Sequence, residues 1–119
     1  LLEGGGCGKL DFTYIDDSID GMIRALALHG GPTASDTFNL TYGNARSILE
    51  LANIIKEIIP DVTFECRPKA EDKPIRGTLK MDKAEDRLGF KPKWPLEKGY
   101  KRYCEWYVSE WGKVIGSNA

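Results

Sequence analysis

Apolar and polar side chains alternate near the start of the chain. Residues 10–15 read Leu-Asp-Phe-Thr-Tyr-Ile, which places every second side chain on one side of an extended backbone, as in a half-buried β-strand. Three further short segments, at residues 37–40, 62–66 and 76–81, mix apolar and polar residues and are also predicted to be strands. These segments together predict a small sheet.

A series of apolar residues with the spacing of a helix follows the first strand. Its apolar positions recur every three or four residues, at Ile19, Met22, Ile23 and Leu26. A stripe of this kind forms one helical face and normally turns toward a core. Asp17 or Ser18 is predicted to cap the start of the helix, and the sequence His-Gly-Gly-Pro at 29–32 is predicted to end it.

The clearest helix signal begins at Ser47. Ser47 and Glu50 have the spacing of a capping box, in which each side chain binds the backbone N–H of the other residue. The apolar stripe that follows consists of Ile48, Leu51, Ala52, Ile55, Ile58 and Ile59. Pro60 is predicted to end this helix.

Two more helices are predicted in the last third of the chain. A short one begins near Asp82 and ends at Gly89, and a longer one runs from Leu96 to about residue 111. The inward positions expected on the long helix are Leu96, Tyr100, Tyr103, Cys104 and Tyr107. Residues 1–111 are expected to form one unit, and residues 112–119 a frayed tail. Strands that alternate with helices indicate an α/β fold.

Composition and charge argue against several classes of protein. The chain has 119 residues, with 17 Lys and Arg against 18 Asp and Glu, so one soluble domain is expected. The neutral balance argues against nucleic-acid binding, which needs clustered cations, and no apolar stretch is long enough for a membrane span. Cys7, Cys66 and Cys104 are widely spaced and odd in number, so a disulfide framework is not expected and the cytoplasm is the predicted compartment.

Several motifs favour structural interpretations over chemistry. The glycine-rich segment 4–8 lacks the spacing and the hydroxyl of a phosphate-binding loop and is interpreted as a turn. Adjacent Asp16 and Asp17 are interpreted as helix-capping or solvated carboxylates. The single His29, at a helix end, has neither a nucleophile nor a metal-ligand spacing beside it. The aromatic residues of the last helix favour packing over base stacking.

The charged segment 67–76 is the most ambiguous motif. It contains Arg67, Arg76, two Lys and two carboxylates between two predicted strands, with prolines that limit its freedom. Arg matches a diphosphate bidentately, and a nearby Asp can accept hydrogen bonds from ribose or base. The local sequence alone favours a solvated loop, with an anion site as the alternative.

The order of these segments resembles the extended short-chain dehydrogenase/reductase family, in particular its NAD-dependent nucleotide-sugar epimerases and dehydratases. The resemblance rests on the segments at 11–17, 38–40 and 47–52, on Arg67-Pro68, and on the segments at 76–84, 88–92, 96–99 and 106–107. It covers about residues 2–111 and corresponds to the C-terminal portion of the family. It implies the substrate-binding portion of an extended Rossmann-type epimerase, with a small mixed sheet and about four helices.

The resemblance also implies that cofactor binding and catalysis belong to another portion of the full-length enzyme. The family binds NAD through a glycine-rich turn that opens a helix and works through a Tyr followed four residues later by a Lys. Neither occurs here, so this chain is expected to bind no cofactor, to contain no catalytic residue and to be inactive alone, while the full-length enzyme would use NAD. The missing Met at position 1 likewise predicts a piece of a longer protein.

The substrate contacts implied by the resemblance form a short set. Arg67 and Arg76 correspond to basic contacts to the diphosphate of a nucleotide-sugar, and Asp72 to an acidic contact with the nucleoside. The family's usual Arg before the Asp-Phe-Thr-Tyr segment is replaced by Leu10, with Lys9 beside it. A homo-oligomer is expected. The alternative to an enzyme segment is a stand-alone, non-catalytic module that dimerises or binds through exposed apolar surface.

Overall fold

The computed structural model describes residues 1–28, 35–69 and 74–116, with side chains up to Trp111. Within these residues the four α-helices are α1 (Ile15–Ala27), α2 (Ile48–Ile58), α3 (Asp82–Leu88) and α4 (Leu96–Gly116). The strands are β1 (Leu2–Glu3), β2 (Lys9–Leu10), β3 (Arg46–Ser47) and β4 (Cys66–Arg67). The predicted mixed α/β architecture, with small sheets and four helices, is confirmed.

The strands form two separate pairs. β1 lies parallel to β4, with Leu2 opposite Cys66, and β2 lies antiparallel to β3, with Lys9 opposite Ser47. The strands predicted at 37–40 and 76–81 are wrong, because neither segment joins a ladder. A side-chain hydrogen bond links them instead, from Asn39 Nδ2 to the Lys80 carbonyl at 2.9 Å.

The alternating segment at 10–15 is a strand only at its start. The polar positions of this segment bind a turn farther along the chain, because Thr13 Oγ1 accepts from the Tyr42 N–H at 3.2 Å and Asp11 accepts from the Gly43 N–H at 3.2 Å. Side chains therefore replace the backbone ladder that the alternation predicted. The strand predicted at 62–66 is likewise reduced to β4, which pairs only at Cys66–Arg67.

Helix α1 differs from its prediction at its start and in its orientation. It begins at Ile15, and its N-cap residue Tyr14 makes no side-chain cap, so the predicted capping by Asp17 or Ser18 is wrong. The side of α1 that packs on the rest of the chain contains Gly21, where an added Cβ would lie 2.7 Å from Leu40. The apolar stripe is instead exposed, with Ile23 at 59% and Leu26 at 83%.

Helix α2 has the predicted capping box. Ser47 Oγ accepts from the Glu50 N–H at 3.1 Å, and the Glu50 carboxylate accepts from the Ser47 N–H at 2.7 Å. Arg46 pairs with Glu50 at 2.8 Å and with Glu97 at 2.9 Å, so the start of α2 is tied to the first turn of α4. The helix ends at Ile58, two residues before Pro60, as predicted.

The core lies around α3 and the segment after it. Ala84, Leu88 and Phe90 are fully or almost fully buried. The partly buried side chains packed against them are Ala25, Phe38, Leu40 and Met81. Gly89 ends α3 with a φ of +60°, a left-handed conformation that favours glycine, so the predicted end of this helix is confirmed.

Helix α4 extends through Gly116, so the segment predicted to fray from residue 112 is helical up to that residue. Leu96 is buried, but Tyr103 and Tyr107 are each 46% exposed, so their predicted inward orientation is wrong. These rings contact one another along the helix, and Tyr107 stacks on Trp111 at 5.7 Å between ring centroids. Among the described residues, no helix has the length and apolar character needed to cross a bilayer.

Candidate functional site

A cleft of about 900 Å³ opens beside β1, β2 and β4. The residues that line it are Leu1, Glu3, Cys7, Gly8, Lys9, Leu10, Ile48, Arg67, Lys69, Pro74, Ile75 and Arg76. Its volume falls within the range of about 300–1,000 Å³ that is common for small-molecule sites. The cleft is therefore large enough for a nucleotide-sized ligand.

The parallel pair of strands places Arg67 in the cleft. Glu3 in β1 lies opposite Arg67 in β4, and the Leu2 N–H donates to the Glu65 carbonyl at 2.7 Å. The Arg67 guanidinium is 3.8 Å from the Glu65 carboxylate, and both side chains are more than half exposed. This exposed and loose pair holds Arg67 only weakly, so its guanidinium can turn to an incoming anion.

The glycine-rich segment forms one end of the cleft. Gly4–Gly6 is a turn in which all three residues have a positive φ, and β2 follows it. At Gly6 an added Cβ would lie 2.8 Å from the Leu49 nitrogen, so only glycine lets the turn approach α2 this closely. This segment leads into a strand and opens no helix, in agreement with the predicted turn and not with a phosphate-binding loop.

The antiparallel pair of strands places Lys9. Lys9 lies opposite Ser47, and the Ile48 N–H donates to the Gly8 carbonyl at 2.9 Å. The capping box fixes the adjoining start of α2. Hydrogen bonds from the Ser47 backbone and from Arg46 lower the pKa of Glu50 to about 2, so this carboxylate stays ionised at neutral pH. The capping box therefore holds Ser47, the residue paired with Lys9, in a fixed position beside the cleft.

The structure brings two of the three predicted substrate contacts together. Arg67 and Arg76 line the same cleft, although nine positions separate them in the chain. Asp72 lies outside the described residues, so its predicted role stays a prediction. Lys9 and Lys69 also line the cleft and were not among the predicted contacts. The sequence signal for Lys69 was the charged segment itself, and the signal for Lys9 was its place beside Leu10, where the resembling family usually has Arg.

Among the described residues that line this cleft, cations outnumber carboxylates. They include Lys9, Arg67, Lys69 and Arg76 but only one carboxylate, that of Glu3. Within the described part of the chain, no salt bridge within 4.0 Å involves Lys9, Lys69 or Arg76. An excess of cations in a concave site raises the local concentration of anionic ligands. The arrangement is suited to binding phosphate or carboxylate groups.

A second, smaller cavity of about 240 Å³ has a different character. It is lined by Phe12, Thr13, Tyr14, Ile15, Trp94, Leu96, Gly99, Tyr100 and Tyr103. None of these side chains carries a charge at neutral pH, and burial raises the pKa of Tyr100, which keeps its phenol protonated. No Lys or Arg is among the residues that line this aromatic cavity, so the cationic cleft is the candidate site.

The other titratable candidates have structural positions. Asp17 is buried and binds backbone N–H groups of the connector before α4, so its interpretation as a helix cap or solvated carboxylate is wrong. Asp16 is exposed, and Cys104 is partly buried with its pKa raised by burial. His29 lies outside the described residues. In the described ranges, no group of three or more His, Cys, Asp or Glu could hold a metal ion.

Known proteins with a similar sequence include several nucleotide-sugar enzymes. UDP-glucuronic acid decarboxylase 1 of Arabidopsis thaliana is 33% identical over 103 residues, which cover 85% of this chain and 22% of that protein. The dTDP-L-rhamnose 4-epimerase of Burkholderia thailandensis is 31% identical over 111 residues, which cover 92% of this chain and 30% of that protein. No family model matches the chain.

A solved structure has a similar fold over almost the whole of this chain. The Bordetella bronchiseptica enzyme WbmF, determined in complex with NAD+ and UDP, matches with a TM-score of 0.76 and 26% identity. The match covers 98% of this chain and 33% of that one. The chain thus spans about a fifth to a third of the length of these proteins. Sequence and fold together show that this chain is similar to one portion of NAD-dependent nucleotide-sugar epimerases and dehydratases.

Proposed function

We propose that this chain is the C-terminal, substrate-holding segment of an NAD-dependent nucleotide-sugar epimerase or dehydratase. The observation that carries the proposal is the position of Arg67 and Arg76, which line one cleft with Lys9 and Lys69. The UDP bound to the Bordetella enzyme and the names of the two relatives support a nucleotide-sugar as the ligand.

In this proposal the two arginines bind the diphosphate. A guanidinium presents a planar fork of N–H donors that matches two phosphate oxygens at once, and each such pair is charge-assisted. The cleft is open to solvent, so screening limits the contribution of each arginine to about 1 kcal/mol, or about a fivefold change in affinity. Asp72 would accept hydrogen bonds from the nucleoside, as the family resemblance implies.

In this proposal the chain positions the substrate and takes no part in the chemical steps. NAD, held elsewhere in the full-length enzyme, would oxidise a sugar hydroxyl and later return the hydride. The segment would hold the diphosphate so that the sugar ring meets that cofactor in one orientation. The sequence contains no Tyr followed four residues later by Lys, so we expect no turnover by this chain alone in the presence of NAD. We place the enzyme in the cytoplasm, as a homo-oligomer.

Calorimetric titration tests the proposal. The chain is titrated with UDP-glucose and dTDP-glucose at low salt, alongside Arg67→Met, Arg76→Met and the control Arg102→Met, whose guanidinium lies over the Trp94 ring outside the cleft. We expect binding that each cleft variant weakens about fivefold and the control leaves unchanged. Absence of binding, or equal losses in all three variants, would contradict the proposal.

A second function is favoured by one observation. The apolar stripe of α1 is exposed, including Met22, Ile23 and Leu26, and surfaces of this kind tend to associate. The chain could therefore be a stand-alone module that dimerises through α1, without catalysis. Sedimentation over a hundredfold range of concentration tests this second function: a dimer that Ile23→Lys abolishes and Lys56→Glu preserves supports the module, and a concentration-independent monomer excludes it.

A further inference from the structure

Side-chain hydrogen bonds hold the segment that precedes α3. Residues 76–81 join no ladder within the described part of the chain, so other contacts must position them. The Asn39 side chain binds the Lys80 carbonyl at 2.9 Å, near one end of the segment. Near the other end, the Thr78 hydroxyl donates to the Asp11 carboxylate. Thr78 is only two positions from Arg76, so this second bond holds the part of the backbone that carries an arginine of the cleft.

Asp11 contacts two distant segments at once. It is partly buried and directly follows Leu10, the last residue of β2 and part of the cleft lining. The Gly43 N–H donates to its carboxylate, with 3.2 Å from the nitrogen to each oxygen. One of these oxygens, Oδ2, also accepts from the Thr78 hydroxyl. Asp11 therefore joins the end of β2 both to the turn at Gly43 and to the segment that carries Arg76.

We propose that Asp11 and Thr78 are positioning residues of the cleft, which hold the backbone at residue 76 so that the Arg76 guanidinium meets the diphosphate in one orientation. This inference rests on the proposed function, in which Arg76 binds the diphosphate. Neither Asp11 nor Thr78 is among the described residues that line the cleft, so both act through Arg76 and not through contact with the ligand.

The physical argument concerns the geometry of the guanidinium. Its N–H donors match two phosphate oxygens at once only when the planar group is correctly placed and oriented. The side chain of Arg76 is exposed, so the fold controls its reach mainly through the position of its backbone. Loss of the Thr78 bond releases that backbone and weakens the arginine contact without abolishing it. The loss of affinity is therefore about threefold, smaller than the fivefold expected when Arg76 itself is removed.

A double-mutant titration with UDP-glucose at low salt tests the inference. Thr78→Val removes the hydroxyl and keeps the shape of the side chain, and it should weaken binding about threefold. Combined with Arg76→Met it should weaken binding no more than Arg76→Met alone, because residues that act through one contact are not additive. Thr78→Ser, which keeps the hydroxyl, should restore the affinity. Thr37→Val is the control, an exposed threonine outside the cleft, and should bind as the parent chain does.

The outcomes separate this inference from the proposed function. A Thr78→Val variant that binds as tightly as the parent chain overturns the positioning role and leaves the nucleotide-sugar site intact. A double variant weakened about fifteenfold, the product of the two single effects, also overturns it, because Thr78 would then act independently of Arg76. Absence of binding by the parent chain overturns the proposed function and this inference with it. Urea unfolding verifies that Thr78→Val is folded, as expected for a substitution at an exposed hydroxyl.

Discussion

The buried carboxylate of Asp17 accepts hydrogen bonds from two consecutive backbone N–H groups, those of Lys93 at 2.8 Å and Trp94 at 3.0 Å. These contacts tie the first turn of α1 to the connector that leads into α4, across more than 70 residues of sequence. The Tyr14 ring, just before α1, lies 4.9 Å from that of Trp94 between centroids and reinforces the same junction. Asp17 therefore stabilises the contact between α1 and the connector before α4.

Substitution of Asp17 by Ala should destabilise the chain by about 2–3 kcal/mol, because it leaves two inward N–H groups without a partner. The matched control is Asp16→Ala, which removes an exposed carboxylate from the same helical turn and should cost less than about 1 kcal/mol. Urea unfolding of the three proteins measures the difference. Equal losses in the two variants would show that Asp17 acts only through the helix dipole.

Gly6 should be essential for the shape of the cleft. Gly6→Ala would place a Cβ 2.8 Å from the Leu49 nitrogen at a backbone φ of +77°, and both effects are unfavourable. We expect a loss of about 1–3 kcal/mol in the free energy of unfolding, together with weaker nucleotide-sugar binding. Gly8→Ala is the control, because an added Cβ there meets nothing within 4 Å. A Gly6→Ala variant as stable as Gly8→Ala would contradict the close packing of the turn against α2.

The capping box of α2 should make stability depend on acidity. The Ser47 backbone and Arg46 lower the pKa of Glu50 from 4.5 to about 2 in the folded chain. The stability that ionised Glu50 contributes is therefore complete above pH 4.5 and is lost as the pH falls toward 2. The gap in urea midpoint between the parent chain and Glu50→Gln should close over this window.

Glu57→Gln, at an exposed glutamate near the other end of α2, is the control for this measurement. It should show no comparable gap at pH 6. A gap between the parent chain and Glu50→Gln that stays constant from pH 6 to pH 2 would mean that the carboxylate makes no charge-dependent contact in the folded chain.

Local signals predicted the helices well. The capping box at Ser47 and the left-handed glycine at Gly89 act within one helical turn, so the sequence alone shows them. The strands at 37–40 and 76–81 were predicted from the mixture of apolar and polar residues in each segment. A ladder also needs a neighbouring strand, and the described part of the chain provides none there. The sequence contained no sign that Asn39 would bind the Lys80 carbonyl across that gap.

The candidate site was predicted in part. The charged segment pointed to Arg67 and Arg76, because bidentate recognition of phosphate depends on residue type. The contribution of Lys9 depends on which strands pair, and the sequence gives no register for strands of two residues. The hydrogen bonds of Asp17 to the connector before α4 were not predicted, for a related reason. A carboxylate in the first turn of a helix is usually a cap or solvated, and only the tertiary fold brings Lys93 and Trp94 to it.

The proposed function requires that the cationic cleft binds the diphosphate of a nucleotide-sugar. The most direct test is a titration of the ¹⁵N-labelled chain with UDP-glucose, followed by the backbone amide shifts in NMR spectra. We expect the amides of Gly8, Lys9, Ile48, Arg67 and Arg76 to shift together and saturably, while the amides of the core residues Ala84 and Leu88 do not move. A spectrum without shifts, or shifts confined to the aromatic cavity around Trp94 and Tyr100, would contradict it.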